Sequence, residues 1–256
     1  MAQIKAKIIS NSRLIGNYWY LEFESRQIAQ QSSPGQFVNI KVSDSMAPLL
    51  RRPLSIHAVC ASQVKVIYEL RGEGTQILSS RKPGEILDII GPLGNGFSYR
   101  RILKSRGINN ILIAGGIGVA PLVFLAKELK STKPLVLIGA RTKKDILCAR
   151  EFKALGCAVK FATDDGSVGF KGRVTDLLKI ILAEHKISGI FSCGPHLMLK
   201  TVTQIAKENK IDAQLSLEEH MACGVGACLG CVVETKDGYK TVCKDGPVFS
   251  SEELAW

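Results

Sequence analysis

Between Gln3 and Tyr99, short segments rich in β-branched and aromatic residues recur between turn signals, at 4–9, 18–23, 37–42, 55–59 and 64–70. Such close spacing predicts strands of a small antiparallel barrel, each burying one face. A helical stretch at 75–80 interrupts the series before 85–90 resumes it. The glycine- and proline-rich cluster at 91–96, followed by a basic stretch at 100–106, marks a boundary.

From about residue 110 the rhythm changes. Fully apolar runs at 111–114, 135–140, 158–163, 189–192 and 213–216 alternate with segments of helical period near 121–130, 146–154, 174–184 and 196–207. That alternation predicts a parallel sheet with helices on both faces, a fold that binds ligands at the carboxyl ends of its strands. The last section, 218–256, follows neither period and holds four cysteines and five glycines. It is too small to build a core of its own, so its shape should depend on a metal centre. The division expected is a β-barrel domain at 1–100, an α/β domain at 101–217 and a small cysteine-rich domain at 218–256.

Composition changes this picture little. The chain has 256 residues, with 46% apolar and 22% charged, which suits two globular domains and an appendage. The start carries Lys5 and Lys7 and lacks an apolar run of signal length, so secretion is not expected and the cytoplasm is the natural compartment. The apolar run at 111–126 is too short to span a bilayer and contains Gly115, Gly116, Gly118 and Pro121. The eight cysteines are therefore expected to stay reduced or to bind metal. The net charge of +11 comes from scattered basic residues without interleaved aromatics, which reads as solvated surface and excludes a nucleic-acid stacking pattern.

The spacing Cys223-x4-Cys228-x2-Cys231, with Cys243 further on, is that of plant-type [2Fe-2S] sites. Four thiolates must converge from a close-wrapped loop, and Gly224, Gly226 and Gly230 let backbone N–H groups approach the sulfurs. Structural zinc usually takes two short Cys-x-x-Cys knuckles, and only Cys228 and Cys231 form one. A Rieske centre needs two histidines, and His220 has no second in this section.

Gly115-Gly116-Ile117-Gly118-Val119-Ala120-Pro121 follows an apolar strand and opens a helix, so its backbone can approach a pyrophosphate. The spacing is not that of G-x-G-x-x-G, and tight packing alone would also account for the glycines. Cys193-Gly194-Pro195 turns at the same sheet edge. Cys193 is read as facing a nicotinamide, against the alternative of a buried small hydrophobe. Asp164 and Asp165 end another strand there, and their charge disfavours the extra phosphate of NADP, leaving NAD. In the barrel, Arg51-Arg52-Pro53-Leu54-Ser55 offers guanidinium and hydroxyl groups to a diphosphate. Tyr68 supplies an aromatic to stack on, and Gly72-x-Gly74-Thr75 opens the short helix with further backbone donors. Together these favour a bound flavin.

The arginine-serine motif, the Gly-Gly-x-Gly-x-Ala-Pro turn and the Cys-Gly-Pro turn occur in an order that resembles the ferredoxin-NADP reductase superfamily, over residues 1 to about 217. With the segment from Glu218 to Cys231 and the ending Cys243-Lys244-Asp245-Gly246-Pro247-Val248-Phe249, the whole chain resembles the electron transfer subunits of type B dihydroorotate dehydrogenase. The resemblance implies FAD in the barrel, NAD on the α/β domain and a cluster held by Cys223, Cys228, Cys231 and Cys243. It also implies a separate FMN-containing catalytic subunit, in a heterotetramer of two of each. Electrons would pass from dihydroorotate through that FMN, the cluster and FAD to NAD. Flavin contacts would fall at Arg52, Pro53, Leu54, Ser55, Ile67, Tyr68, Glu69, Gly74 and Thr75. Leu54 stands where many reductases have an aromatic, and Glu69 where a basic residue is common. An acidic side chain cannot grip a pyrophosphate, so Glu69 is expected to contribute backbone or ring contact only. A flavin is needed between a hydride carrier and a one-electron cluster, so the three motifs are chemically complementary. No catalytic triad or paired carboxylates stand out. Rival readings are a reductase subunit of a ferredoxin-linked transhydrogenase or hydrogenase complex, and a non-catalytic zinc-stabilised binding module.

Overall fold

The computed structural model describes residues 1–100 and 109–256. Beyond Arg100, the basic stretch expected at 100–106 lies outside the described residues, and with it the expected boundary between residues 100 and 101.

Strands β1 (Ala2–Ile15), β2 (Tyr18–Glu24), β3 (Phe37–Lys41), β4 (Arg52–Cys60), β5 (Gln63–Glu69) and β6 (Ile86–Leu93) close into an antiparallel barrel in the order β1-β2-β5-β4-β3-β6. Alternate residues fill it: Leu21 and Phe23 from β2, Val64, Val66 and Tyr68 from β5, Leu87 and Ile89 from β6. β1 is longer than the apolar run at 4–9, because its first half pairs with β6 and its second half with β2. Two short helices accompany the barrel, α1 (Arg26–Gln31) and α2 (Glu73–Ser80). The first has too few apolar positions to show a period, and only Ile28 and Ala29 are buried; Ser25 caps it by accepting the Ile28 N–H at 3.1 Å.

Asp88 on β6 fastens the barrel wall. It accepts from Arg51 Nη2 at 2.7 Å and Gln3 Nε2 at 3.1 Å, and pairs with Lys5 Nζ at 3.2 Å. Burial opposes the charge, but these donors outweigh it and hold the carboxyl below the usual range. A depressed folded-state pKa stabilises above the unfolded value of about 3.9, and that stabilisation is lost as pH falls through the folded value. Asp88→Asn is therefore expected to cost about 1–2 kcal/mol at neutral pH. Denaturant midpoints of variant and parent should converge as pH falls through the folded value; a gap unchanged by acid would contradict the assignment.

The second sheet runs β10-β9-β8-β7-β11-β12-β15, from β7 (Asn110–Gly115), β8 (Leu135–Ala140), β9 (Ala158–Thr163), β10 (Phe170–Lys171), β11 (Gly189–Cys193), β12 (Asp212–Ser216) and β15 (Val248–Ser250). Every residue of β7 and β11 is buried, as central parallel strands with both faces covered must be. Leu112, Ala114, Val136 and Phe191 pack against α3 (Val119–Glu128) and α4 (Ala149–Ala154). Ile111, Ile113, Leu137 and Ile190 pack on the other face against α5 (Val174–Glu184) and α6 (His196–Glu208). α4 starts later than the helix expected at 146–154, because 143–145 form a tight turn capped by Thr142 and Cys148 is left-handed at φ 57°.

The last section forms a hairpin, β13 (Val232–Thr235) and β14 (Gly238–Thr241), and then β15, which pairs antiparallel with β12. Cys231, Val242, Cys243, Phe249 and Leu254 join the apolar cluster of α5 and α6. The cysteine-rich section therefore completes the core of the sheet and covers the edge left open by β12. No helix among the described residues is long and apolar enough to cross a membrane.

Candidate cofactor sites

A cavity of about 440 Å³ opens where the three sections meet, a size that suits an organic cofactor. Pro53, Leu54 and Ser55 of β4 and Ile67, Tyr68 and Glu69 of β5 form the barrel wall. Ile117 and Ala120 come from the glycine turn, and Ser216, Glu218, His220 and Met221 from the chain leaving β12.

The two adjacent arginines part company. Arg51 is held by the Asp88 carboxylate and, at 2.8 Å, by the Asp88 carbonyl. Arg52 makes hydrogen bonds only to the carbonyls of Leu50 and Arg51, among the described residues, and lies directly over Gly74. A Cβ at Gly74 would come within 2.3 Å of Arg52 Nε, so glycine keeps the guanidinium beside the opening of α2. A cation beside helix-terminal N–H groups suits a diphosphate. The Thr75 hydroxyl accepts the Arg71 N–H at 3.0 Å and donates to the Gly72 carbonyl at 3.0 Å, which shapes that opening. Glu69 is paired with Arg71 at 2.6 Å, so its charge is already neutralised. Tyr68, between Ile67 and Glu69 on β5, also lines the cavity. β-strand alternation turns its ring into the barrel, where it is 1% exposed and donates to Asn11 Oδ1 at 2.9 Å. Leu54 and Ile67 supply the neighbouring apolar wall.

The glycine turn and the Cys193 turn flank the gap between β7 and β11, where strand order reverses. They touch closely. A Cβ on Gly118 would lie 2.1 Å from the Cys193 carbonyl oxygen, and one on Gly115 would lie 2.7 Å from Pro195 Cδ. Tight packing thus explains Gly115 and Gly118, whereas Gly116, at φ +55° with open space around it, is the one whose backbone needs the left-handed region. Gly194 packs on Gly115, and Pro121 is buried in the first turn of α3. Cys193 is fully buried, and burial pushes its thiol up; the Ser216 side chain hydrogen-bonds it. Its neighbours Ser216 and Glu218 line the cavity wall. Glu218 is an exposed residue on that wall; desolvation by the surrounding groups raises its carboxyl, with Arg71 acting the other way. Sequence reasoning gave it no role, although the acid pair just before the cysteine motif was a visible signal. Asp165 is occupied by Ser167, accepting from its N–H at 2.9 Å and its hydroxyl at 2.6 Å, which holds the carboxyl below the usual range.

The four motif cysteines converge. Cys223 receives backbone N–H groups from Val225 at 3.4 Å, Ala227 at 3.3 Å and Cys228 at 3.4 Å. Gly226 N–H reaches across to Cys243 Sγ at 3.0 Å, Gly230 N–H to Cys228 Sγ at 3.4 Å, and Cys243 N–H to Cys231 Sγ at 3.4 Å. Burial alone would raise Cys223, but these donors bring its thiol down to about 6. Cys243, more deeply placed and beside Cys231, is pushed up to about 12. A nest of N–H groups around four sulfurs fits an anionic thiolate cluster. The barrel takes part too, through Asn39 Nδ2 donating to the Cys223 carbonyl at 3.4 Å.

A barrel and a parallel sheet joined in this way define a reductase of the ferredoxin-NADP reductase class, here carrying an added cysteine-rich section. The fold matches the ferredoxin-NADP+ reductase of Plasmodium falciparum with TM-score 0.63 over 80% of this chain and 89% of that one, at 16% identity. A NADH-dependent reduced ferredoxin-NADP oxidoreductase studied for flavin-based electron bifurcation matches with TM-score 0.86 and 31% identity, over 98% of this chain and 90% of that one. Residues 112–204 match the oxidoreductase NAD-binding domain, and residues 218–255 the iron-sulfur cluster binding domain of dihydroorotate dehydrogenase B. The electron transfer subunit of dihydroorotate dehydrogenase B (NAD(+)) from Desulforamulus reducens is 41% identical over 98% of this chain and 97% of its own length. That from Bacillus velezensis is 40% identical over 100% of both. The chain belongs to the family of dihydroorotate dehydrogenase B electron transfer subunits, and its cofactors are FAD, a [2Fe-2S] cluster and NAD.

Proposed function

We infer that this chain carries electrons between a dihydroorotate-oxidising partner subunit and NAD. The observation that carries this reading is the convergence of barrel, glycine turn and cysteine section on one cavity. When bound, the cluster supplies single-electron transfer and the flavin converts it to the hydride pair of a nicotinamide. Leu54, Ile67 and Ser55 hold and orient the flavin ring, and Arg52 with the opening of α2 holds its diphosphate. Cys223, Cys228, Cys231 and Cys243 hold the cluster, and their backbone donors offset its charge. The turns at Gly115–Gly118 and Cys193–Pro195 seat the dinucleotide. The domains we propose are 1–100, 101–217 and 218–256, the last serving as cluster cradle and sheet edge.

The partner is proposed to be an FMN-bearing catalytic subunit, two of each forming the assembly, in the cytoplasm. Val225 and Leu229 are exposed on the cysteine loop and offer that subunit an apolar contact beside the cluster. Mixing the two subunits should make NAD reduction depend on dihydroorotate and on this chain. NAD reduction that proceeds equally without it would reject the reading. Likeness to the ferredoxin-NADP oxidoreductase favours one second reading, the same module serving a ferredoxin-linked complex. Reduced ferredoxin in place of dihydroorotate tests it.

A further inference from the structure

His57 belongs to none of the cofactor motifs, yet it joins the two domains that must align a flavin with a nicotinamide. The ring is fully buried. Nδ1 lies 3.1 Å from the Ala120 carbonyl at the start of α3, and Nε2 lies 2.7 Å from Glu151 Oε2 on α4. Both partners are acceptors, so both ring nitrogens occupy donor positions. Burial opposes the Glu151 charge, but His57 and Cys148 outweigh it and hold the carboxyl below the usual range. Cys148 completes a trio whose ligating atoms lie within 4.8 Å of one another. The trio is a hydrogen-bonded unit and not a metal site: 2.7 Å is a hydrogen-bond length, well short of the edge of about 3.3 Å that a zinc tetrahedron with bonds of about 2.0 Å requires.

The barrel is built to aim this side chain. Ile56 pairs with Val66 and Ala58 with Lys65, so His57 is the extra residue of a β-bulge. Bulges re-aim side chains, and this one turns the imidazole out of the barrel toward α3. Ser55, two residues earlier on the same strand, lines the cavity, and so does Ala120, the acceptor of the Nδ1 proton. Lys127 Nζ, donating to the Val59 carbonyl at 2.8 Å, and Phe124, packed into the barrel cluster, complete the seam between β4 and α3.

We propose that His57 is a positioning residue that sets the glycine turn against the flavin strand through its Nδ1–H···Ala120 bond, while the Glu151 bond only fixes the ring. This rests on Gly115–Gly118 being the dinucleotide turn, which NAD binding to the parent protein tests separately. Asparagine at this position can reproduce the Nδ1 donor and glutamine the Nε2 donor, so the two bonds can be removed one at a time. The flavin- and cluster-loaded protein is titrated with NAD by calorimetry, and exchange of backbone amides at 115–120 is followed in parallel. His57→Gln is expected to weaken NAD binding about tenfold, the equivalent of one hydrogen bond, and to speed exchange in the turn. His57→Asn and Glu151→Gln should bind NAD as the parent does. In turnover with the partner, the effect of His57→Gln should fall on the KM for NAD and not on kcat. Equal NAD affinities for His57→Gln and His57→Asn, or a Glu151→Gln defect as large as that of His57→Gln, would overturn the proposal.

Discussion

Replacing Cys228 with alanine is expected to abolish the visible absorption of the cluster and to cut electron passage from the partner by roughly 100-fold or more. Cys228 is exposed, so the loss of its thiol leaves little cavity, and folding should survive. NADH oxidation at the flavin with an artificial acceptor should continue, because neither Arg52 nor the glycine turn is altered. The same substitution at Cys60, exposed and outside the loop, serves as the control and should change neither signal. Normal dihydroorotate-to-NAD transfer in a protein lacking the Cys228 thiol would remove the cluster from the path.

The second large effect concerns two neighbours that look alike in sequence. Arg52→Ala should weaken FAD binding by about 10- to 100-fold, as loss of a charge-assisted contact worth about 1.5–3 kcal/mol implies. Arg51→Ala should leave FAD affinity close to the parent's and lower the denaturant midpoint instead, since Arg51 is committed to Asp88. Flavin fluorescence during titration of the FAD-free protein, with unfolding measured alongside, separates the two. Equal losses of FAD affinity would mean that both guanidinium groups reach the diphosphate.

The barrel strands and the parallel strands were legible because each buries a face, and burial imposes a period. Short or late-forming pieces were not. α1 has two buried residues, and β10 is two residues long, too few to repeat. The delayed start of α4 depends on a capped turn and a left-handed Cys148, which no periodicity records. The direction of the Tyr68 ring is hidden for a related reason. A tyrosine beside a glycine-rich opening suggests stacking, but a strand's two faces differ in destination, and only closure of the barrel shows which face is inside.

By itself the sequence determined the order of the three sections, the cysteine spacing and the glycine turns, since these are local constraints of backbone conformation and ligand geometry written in consecutive residues. Only the tertiary structure decided which arginine pairs with Asp88, that Glu218 lines the cavity wall, that the cysteine section finishes the sheet, and that His57 reaches Ala120 across the domain seam. Each of those joins residues far apart in the chain, and contact between distant segments is settled by packing and by competition for partners, neither of which a linear pattern contains.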